Sequence, residues 1–301
     1  MKRSIVFALM AGVAGLAQTG TALPISNPLA RVYQAGEVLI YRMQARNRDH
    51  EGTLRYEAMA TVEVQKNASG QYVESIAWSD YVRNGKPVTL SKSCQEFRQI
   101  LSRNPGFIPS IPSLSQVRQL EGPVLDLLTF YVDLFMASMT NLTKAGDHRF
   151  FPLPMTNSWA AGDSFLIAED SVDFDITLKS LDPAKKMTVL VVKHVPPKDQ
   201  RLKLPADWMK APVVEGPNNW VQVIKQADGT FLAEVGQESF EVVICLDLTD
   251  GKILSAVMDN SVEVRRRVCK DVALTEAGEP IRYKIHRLIE LELQPSAKGC
   301  P

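Results

Sequence analysis

The side chains whose types and spacing could do chemistry are four histidines, four cysteines and a few close-set aspartates. His50, His148, His194 and His286 stand far apart, and none has a second histidine at ligand spacing, so a histidine-rich metal site is not expected. A turn at 275–280 that closes symmetrically would set His286 opposite Cys269, and an imidazole beside a thiol is the arrangement that activates a cysteine nucleophile. Asp173 and Asp175 fall on one strand face and, with Asp170, offer hard oxygen ligands to a calcium ion. They lack the loop glycine of a calcium motif, so a solvated strand face is the expectation. Asp126 and Asp133 lie two turns apart on one helix face, about 10 Å along the axis at 1.5 Å per residue. That is too far to act on one bond. Asp126 serves more simply as a partner for the helix dipole, but burial of either carboxyl would raise its pKa and mark it for function. The chain carries no G-x-S-x-G, no phosphate-binding glycine loop, no H-E-x-x-H and no C-x-x-C. No catalytic residue, metal or cofactor is assigned.

The N-terminus is an address. Met1-Lys2-Arg3 is cationic, Ile5 to Ala17 is apolar, and Gly20-Thr21-Ala22 ends in small residues, the pattern of a cleaved secretory signal peptide over residues 1–22. The run is short for a membrane span, and no later stretch reaches span length, because Asp126 and Asp133 interrupt Val124 to Met139. The mature chain, from Leu23, is expected to be soluble and periplasmic or extracellular. Basic and acidic side chains balance at 34 each, so nothing marks a nucleic-acid surface. Arg265-Arg266-Arg267 reads as a solvated strand face, with Arg265, Arg267 and Glu263 together. Cys94, Cys245, Cys269 and Cys300 suggest disulfides in an exported chain. Cys245 and Cys269 are expected on strands separated by another strand, too far apart to bridge, which leaves Cys269 with Cys300 and Cys94 with Cys245. Asn67-Ala68-Ser69 and Asn141-Leu142-Thr143 match the glycosylation pattern.

The elements that must position these groups are mostly strands. Glu37 to Ala45 opens the series, Thr53 to Gln65 alternates apolar and polar residues, and Tyr72 to Val82 returns toward an Asn84-Gly85 hairpin turn. Ser93-x-x-Glu96 is a capping box that opens a short helix ending near Asn104-Pro105. Phe107 to Pro112 must be extended. Pro123 starts the best helix, Val124 to Asn141, apolar nearly all round and hence covered on most sides. Strands resume at Ser164 to Leu181, Met187 to Val195, Trp220 to Gln226 and Phe231 to Val235. A closing meander follows at Phe240 to Leu248, Ile253 to Met258, Val262 to Leu274 and Ile281 to Leu293. The fold class is mainly β (α+β): a large curved antiparallel sheet or half-barrel with a helical segment packed across it. Ala35-Gly36-Glu37 and Ala161-Gly162-Asp163 form a faint echo that would suit two related halves. The division expected is a 23–146 unit of hairpins and helices and a 147–301 meander, or one continuous domain.

Ala35-Gly36-Glu37-Val38-Leu39-Ile40-Tyr41, opening the first strand, and Pro154 through Trp159 to Ala161-Gly162-Asp163, opening the second half, lie in an architecture that resembles the periplasmic lipoprotein-localisation-factor group and related exported domains of unknown function. The resemblance spans Tyr33 to Leu293 and implies a half-barrel. No functional residue carries over.

The leading expectation is a non-enzymatic exported protein that binds an apolar small molecule or an envelope protein on its curved sheet. Phe107, Ile108, Leu128, Val132 and Phe135 are the candidate contacts. The alternatives are a hydrolase with a spatially assembled His/Asp or Cys/His site, and a structural or interaction module without a pocket.

Overall fold

Apolar–polar alternation lays the N-terminal third into antiparallel strands: β1 (Val38–Arg48), β2 (Thr53–Lys66), β3 (Tyr72–Arg83) and the short β4 (Lys86–Pro87). The β3–β4 turn is the expected Asn84-Gly85, both residues at positive φ. A computed structural model of the chain describes residues 27–104, 107, 117–152, 160–162, 165–170, 172–196 and 218–295. The signal segment, Ile108, Pro154 to Trp159 and Cys300 therefore lie outside the described residues.

The capping box misplaces the first helix. α1 covers only Lys92–Glu96, capped by Ser91 rather than Ser93. The chain then turns extended and adds β5 (Gln99–Leu101) to β3. α2 runs from Glu121 to Ser138, one turn earlier than expected, with Pro123 in its first turn where a missing N–H costs nothing. After it come β6 (His148–Phe151), β7 (Ala160–Gly162), β8 (Phe165–Asp170), β9 (Asp173–Asp182), β10 (Met187–Val195) and β11 (Trp220–Lys225). The last three strands are long: β12 (Phe231–Asp247), β13 (Ile253–Cys269) and β14 (Ile281–Leu293). Four expected strands thus merge into two, β12 and β13. The polar stretches Gln237-Glu238-Ser239 and Asp259-Asn260-Ser261, which read as breaks, lie in register within one continuous ladder.

All strands join one sheet, in the order β4-β3-β2-β1-β14-β13-β12-β10-β9-β6, with β1 and β14 tying the first and last strands of the chain together. β12 pairs β13 along one edge and divides its other edge between β11 and β10. The sheet is strongly curved, and side-chain reach shows why it must be. Tyr131 of α2 bonds Glu74 on β3 while Asp133 of α2 bonds His194 on β10. Those strands stand six places apart in the order, about 29 Å in a flat sheet at ~4.8 Å per strand, against a helix only ~10–12 Å across. Only a sheet wrapped around α2 lets one helix touch both.

Nearly every side chain from Pro123 to Ala137 is buried in consequence. Leu127, Phe130, Leu134 and Met136 meet Met43, Ile76, Leu101, Phe174, Val242 and Ile289 in a single core. Each such side chain contributes about 1.5–3 kcal/mol of burial. A strap from Asn27 to Gly36 closes one end. The Arg31 guanidinium donates to Glu74 on β3, to Glu37, and to the carbonyl of Asp250 in the β12–β13 turn. Among the described residues, no helix is long and apolar enough to cross a membrane.

Candidate functional site

The sheet face that holds α2 is largely apolar, but one row across it is mostly polar. Following the register across it, Phe174, His194, Phe240, Asn260, Arg287 and Asn47 are successive neighbours on β9, β10, β12, β13, β14 and β1. Four of these are polar and lie beneath or beside the helix. The carboxylates expected to share a face of α2 point down at this row, one to each half of it.

Asp133 accepts from, or donates to, His194 Nε2 at 2.7 Å, with both side chains 0% exposed. The imidazole is held between Phe240, stacked at 3.7 Å between ring centroids, and Phe174 at 4.5 Å. Burial pushes the Asp133 carboxyl above its ordinary range, with His194 pulling the other way. Asp126 takes the guanidinium of Arg287 and the hydroxyl of Tyr56. Burial again raises its pKa, opposed by Arg287. Between these pairs, Asn260 Nδ2 donates to Glu238 Oε1 at 2.7 Å, and Asn219 bonds the Glu238 backbone in both directions. At the strap end, buried Glu74 takes Tyr131 and Arg31, and its carboxyl too is raised by burial. A buried ion without such partners costs several kcal/mol, so each pair is a condition for α2 to sit where it does.

The Asp126 pair opens onto a cavity; the Asp133 pair does not. The cavity, of about 280 Å³, lies between the β1–β2 turn, the ends of β2 and β3, the start of α2, and β14. Leu54, Tyr56, Tyr81, Leu125 and Ile285 form apolar wall, Asp126 and Arg287 lie at the inner end, and Arg48, Arg83 and Arg118 stand at the outer parts. Gly122 lets the helix close on this wall: a Cβ there would sit 3.1 Å from the Tyr56 ring.

The residues singled out from sequence are distributed as follows. Leu128 and Val132 are buried in the core, Phe135 packs half-buried against it, and Phe107 is half-buried. The helix itself occupies the apolar concave face. His286 faces Ser261, not Cys269, because the β13–β14 connection is longer and asymmetric. It bonds Asp259 at 2.8 Å on the exposed outer face, so the Cys–His pairing is not formed. Cys245 and Cys269 lie on neighbouring strands, not separated ones, at opposite ends of the β12–β13 ladder. Cys94 packs into the core from α1, whereas Cys245 alternates onto the outer face of β12, so the Cys94–Cys245 bridge cannot close. Among the described residues Cys94, Cys245 and Cys269 form no disulfide. Asp175 bonds His148 at 2.5 Å and Asp173 is buried; no group of described residues gathers as metal ligands. Arg265 and Arg267 lie on the outer face as expected. Arg266 turns inward to Glu234, Tyr283 and His50, a buried cluster that the charge run concealed. Tyr56, Arg287, Glu238 and Asn260 carried no sequence signal beyond being polar residues at inward positions of alternating strands.

No family model matches the chain, and no curated protein matches it. Two solved structures align with most of this chain. A lipovitellin structure, titled for its lipid–protein interactions, aligns with 89% of this chain at 11% identity and a TM-score of 0.45, and this chain spans 26% of it. A structure described as an AttH from Nitrosomonas europaea aligns over 90% of this chain and 97% of its own, at 9% identity and a TM-score of 0.14.

Proposed function

We propose that this chain is an exported, non-enzymatic binding protein that holds one small amphipathic molecule in the cavity beside the start of α2. The address rests on the signal-like Met1 to Ala22. The observation that carries the binding reading is the cavity's wall: apolar at Leu54, Tyr81, Leu125 and Ile285, charged at its mouth, and floored by the buried Asp126–Arg287 pair. At about 280 Å³ it lies just below the ~300–1,000 Å³ of pockets for drug-sized ligands. It suits a short single chain and not a bulky multi-chain lipid. Apart from Leu125, the apolar residues of α2 are not the binding surface, because they are spent on the core. The buried His194–Asp133 pair gives a hydrolytic reading no support, because it is wholly out of solvent, where no substrate reaches it.

Native mass spectrometry of the protein purified from its host's envelope, with solvent extraction of any adduct, tests this reading. Leu54→Trp, at a half-buried position on the wall, should abolish the adduct while leaving the fold intact. A bare mass for the parent chain, or an adduct indifferent to Leu54→Trp, would overturn it.

A further inference from the structure

We infer that the head group of this ligand is an anion, a carboxylate or a phosphate monoester, taken up by Arg48, Arg83 and Arg118. This rests on the cavity being a ligand site, as proposed above. By count the lining is balanced: Arg48, Arg83, Arg118 and Arg287 against Asp49, Glu51, Glu121 and Asp126. By partner it is not. Asp126 is spent on Arg287 and Tyr56. Asp49 Oδ1 holds its own turn, accepting from the backbone N–H groups of Glu51 at 2.8 Å and Gly52 at 3.0 Å. Glu51 Oε1 faces Arg266 at 3.4 Å and His50 at 3.6 Å. Glu121 sits in the first turn of α2, where the helix dipole offsets its charge. Among the described residues, no carboxylate lies at ion-pair distance from Arg48, Arg83 or Arg118.

The cavity thus has apolar depth and, at its mouth, three guanidinium groups without a carboxylate of the described residues at ion-pair distance. Planar guanidinium groups take carboxylate and phosphate oxygens through paired N–H donors. The half-buried setting of Arg83 makes such bonds stronger than at a fully wet surface. An anion can take charge-assisted bonds from these guanidinium groups, which a neutral head group cannot match, while its chain covers Leu54, Leu125 and Ile285.

Titration calorimetry on the full chain, with decanoate, decyl phosphate, 1-decanol, acetate and inorganic phosphate, tests the inference. Decanoate or decyl phosphate should bind at least about tenfold more tightly than 1-decanol, the scale of one charge-assisted hydrogen bond, and whichever binds tighter names the head group. The short anions should bind far more weakly than the decyl anions. The Arg83→Ala/Arg118→Ala variant should lose roughly that same factor for the anionic probe, keep its affinity for 1-decanol, and flatten the salt dependence. Equal binding of 1-decanol and the decyl anions, unchanged in the arginine variant, would overturn the anionic head group while leaving the cavity reading intact. Short anions binding as tightly as decyl ones would make this an adventitious anion site and overturn the inference. Binding of none of the probes, with an adduct still lost in Leu54→Trp, would also overturn it; loss of both would remove the cavity reading itself.

Discussion

Asp133 on α2 and His194 on β10 meet at 2.7 Å in an interior that excludes solvent from both. The contact joins the helix to β10, as Asp126 with Arg287, and Tyr131 with Glu74, join it to β14 and β3. An apolar helix on an apolar sheet can slide or rotate at little cost. Polar pairs at fixed places cannot, because each lost partner leaves a buried charge or dipole unanswered. The row through His194, Asn260 and Arg287 therefore sets the register of α2, and with it the position of the cavity wall at Gly122 and Leu125.

Removing one member should cost more than removing both. Asp133→Ala leaves the imidazole of His194 without its bond and opens a void, an expected loss of about 3–5 kcal/mol. The Asp133→Leu/His194→Phe double variant replaces the pair with apolar bulk and should recover most of that loss. Urea unfolding of both single variants and the double variant measures the coupling. Additive losses would show that the pair does not act as a unit.

Burial raises the carboxyls of Asp126, Asp133 and Glu74, and the sign of the pH effect follows. A carboxyl whose folded pKa exceeds its unfolded one binds its proton more tightly in the native state. Its stabilising contribution is complete below the unfolded value, about 4, and is lost as pH rises through the folded value. Relative to Asp126→Asn and Asp133→Asn, which cannot titrate there, the parent chain should gain stability as pH falls from 7 toward 4.5. Unfolding free energies across that range provide the check. A parent that loses ground to the variants on acidification would mean that Arg287 or His194 holds its partner's pKa down instead.

The fold class was legible because alternation survives without knowledge of neighbours: β2 runs Thr53–Lys66 where the pattern placed Thr53 to Gln65. The helix was legible for the same reason, and its apolar circumference foretold its burial. What the pattern misjudged were polar residues that meet other polar residues. Glu238 and Asn260 looked like ends of strands, because a polar residue at an inward position reads as a break until its partner is known. Arg266 looked solvated because Glu234 stands 32 residues away. The His286–Cys269 pairing failed because one unseen asymmetry in a turn shifts every partner along the ladder. Asp126 and Asp133 were marked as worth a question, but their answers, Arg287 and His194, are 161 and 61 residues distant and lie on strands fixed only by the sheet order.

Gly251 should tolerate no side chain. It lies in the β12–β13 turn at φ +74°, and a Cβ there would sit 2.0 Å from the carbonyl oxygen of Ala30 in the strap. Conformational strain alone costs roughly 1–2 kcal/mol, and the contact with backbone cannot relax by a rotamer change. Gly251→Ala should therefore displace the strap, breaking the Arg31 bond to Asp250 and the Arg103 bonds to Leu29 and Gly251. Hydrogen exchange at Ala30 and Val32, both bonded through their backbone N–H groups, should rise locally before the sheet opens. Unchanged protection there would show the strap holding without this turn.

The polar pair inside the β12–β13 ladder makes the sharpest test of the row. Asn260 Nδ2 donates to Glu238 Oε1, and both side chains are 0% exposed. Asn260→Asp keeps the shape, removes the donor, and sets a second carboxyl against the first. At neutral pH this should cost about 3–5 kcal/mol, the scale of an uncompensated buried charge. Acidification should return much of it, because protonating one carboxyl restores a donor and removes the repulsion. Asn260→Val removes the donor without adding charge, so it should cost less, with no comparable recovery at low pH. Thermal unfolding of both variants at pH 7 and pH 5 separates the cases. If Asn260→Asp loses no more than Asn260→Val and shows no recovery in acid, the Asn260–Glu238 bond does not hold the ladder in the way its geometry implies.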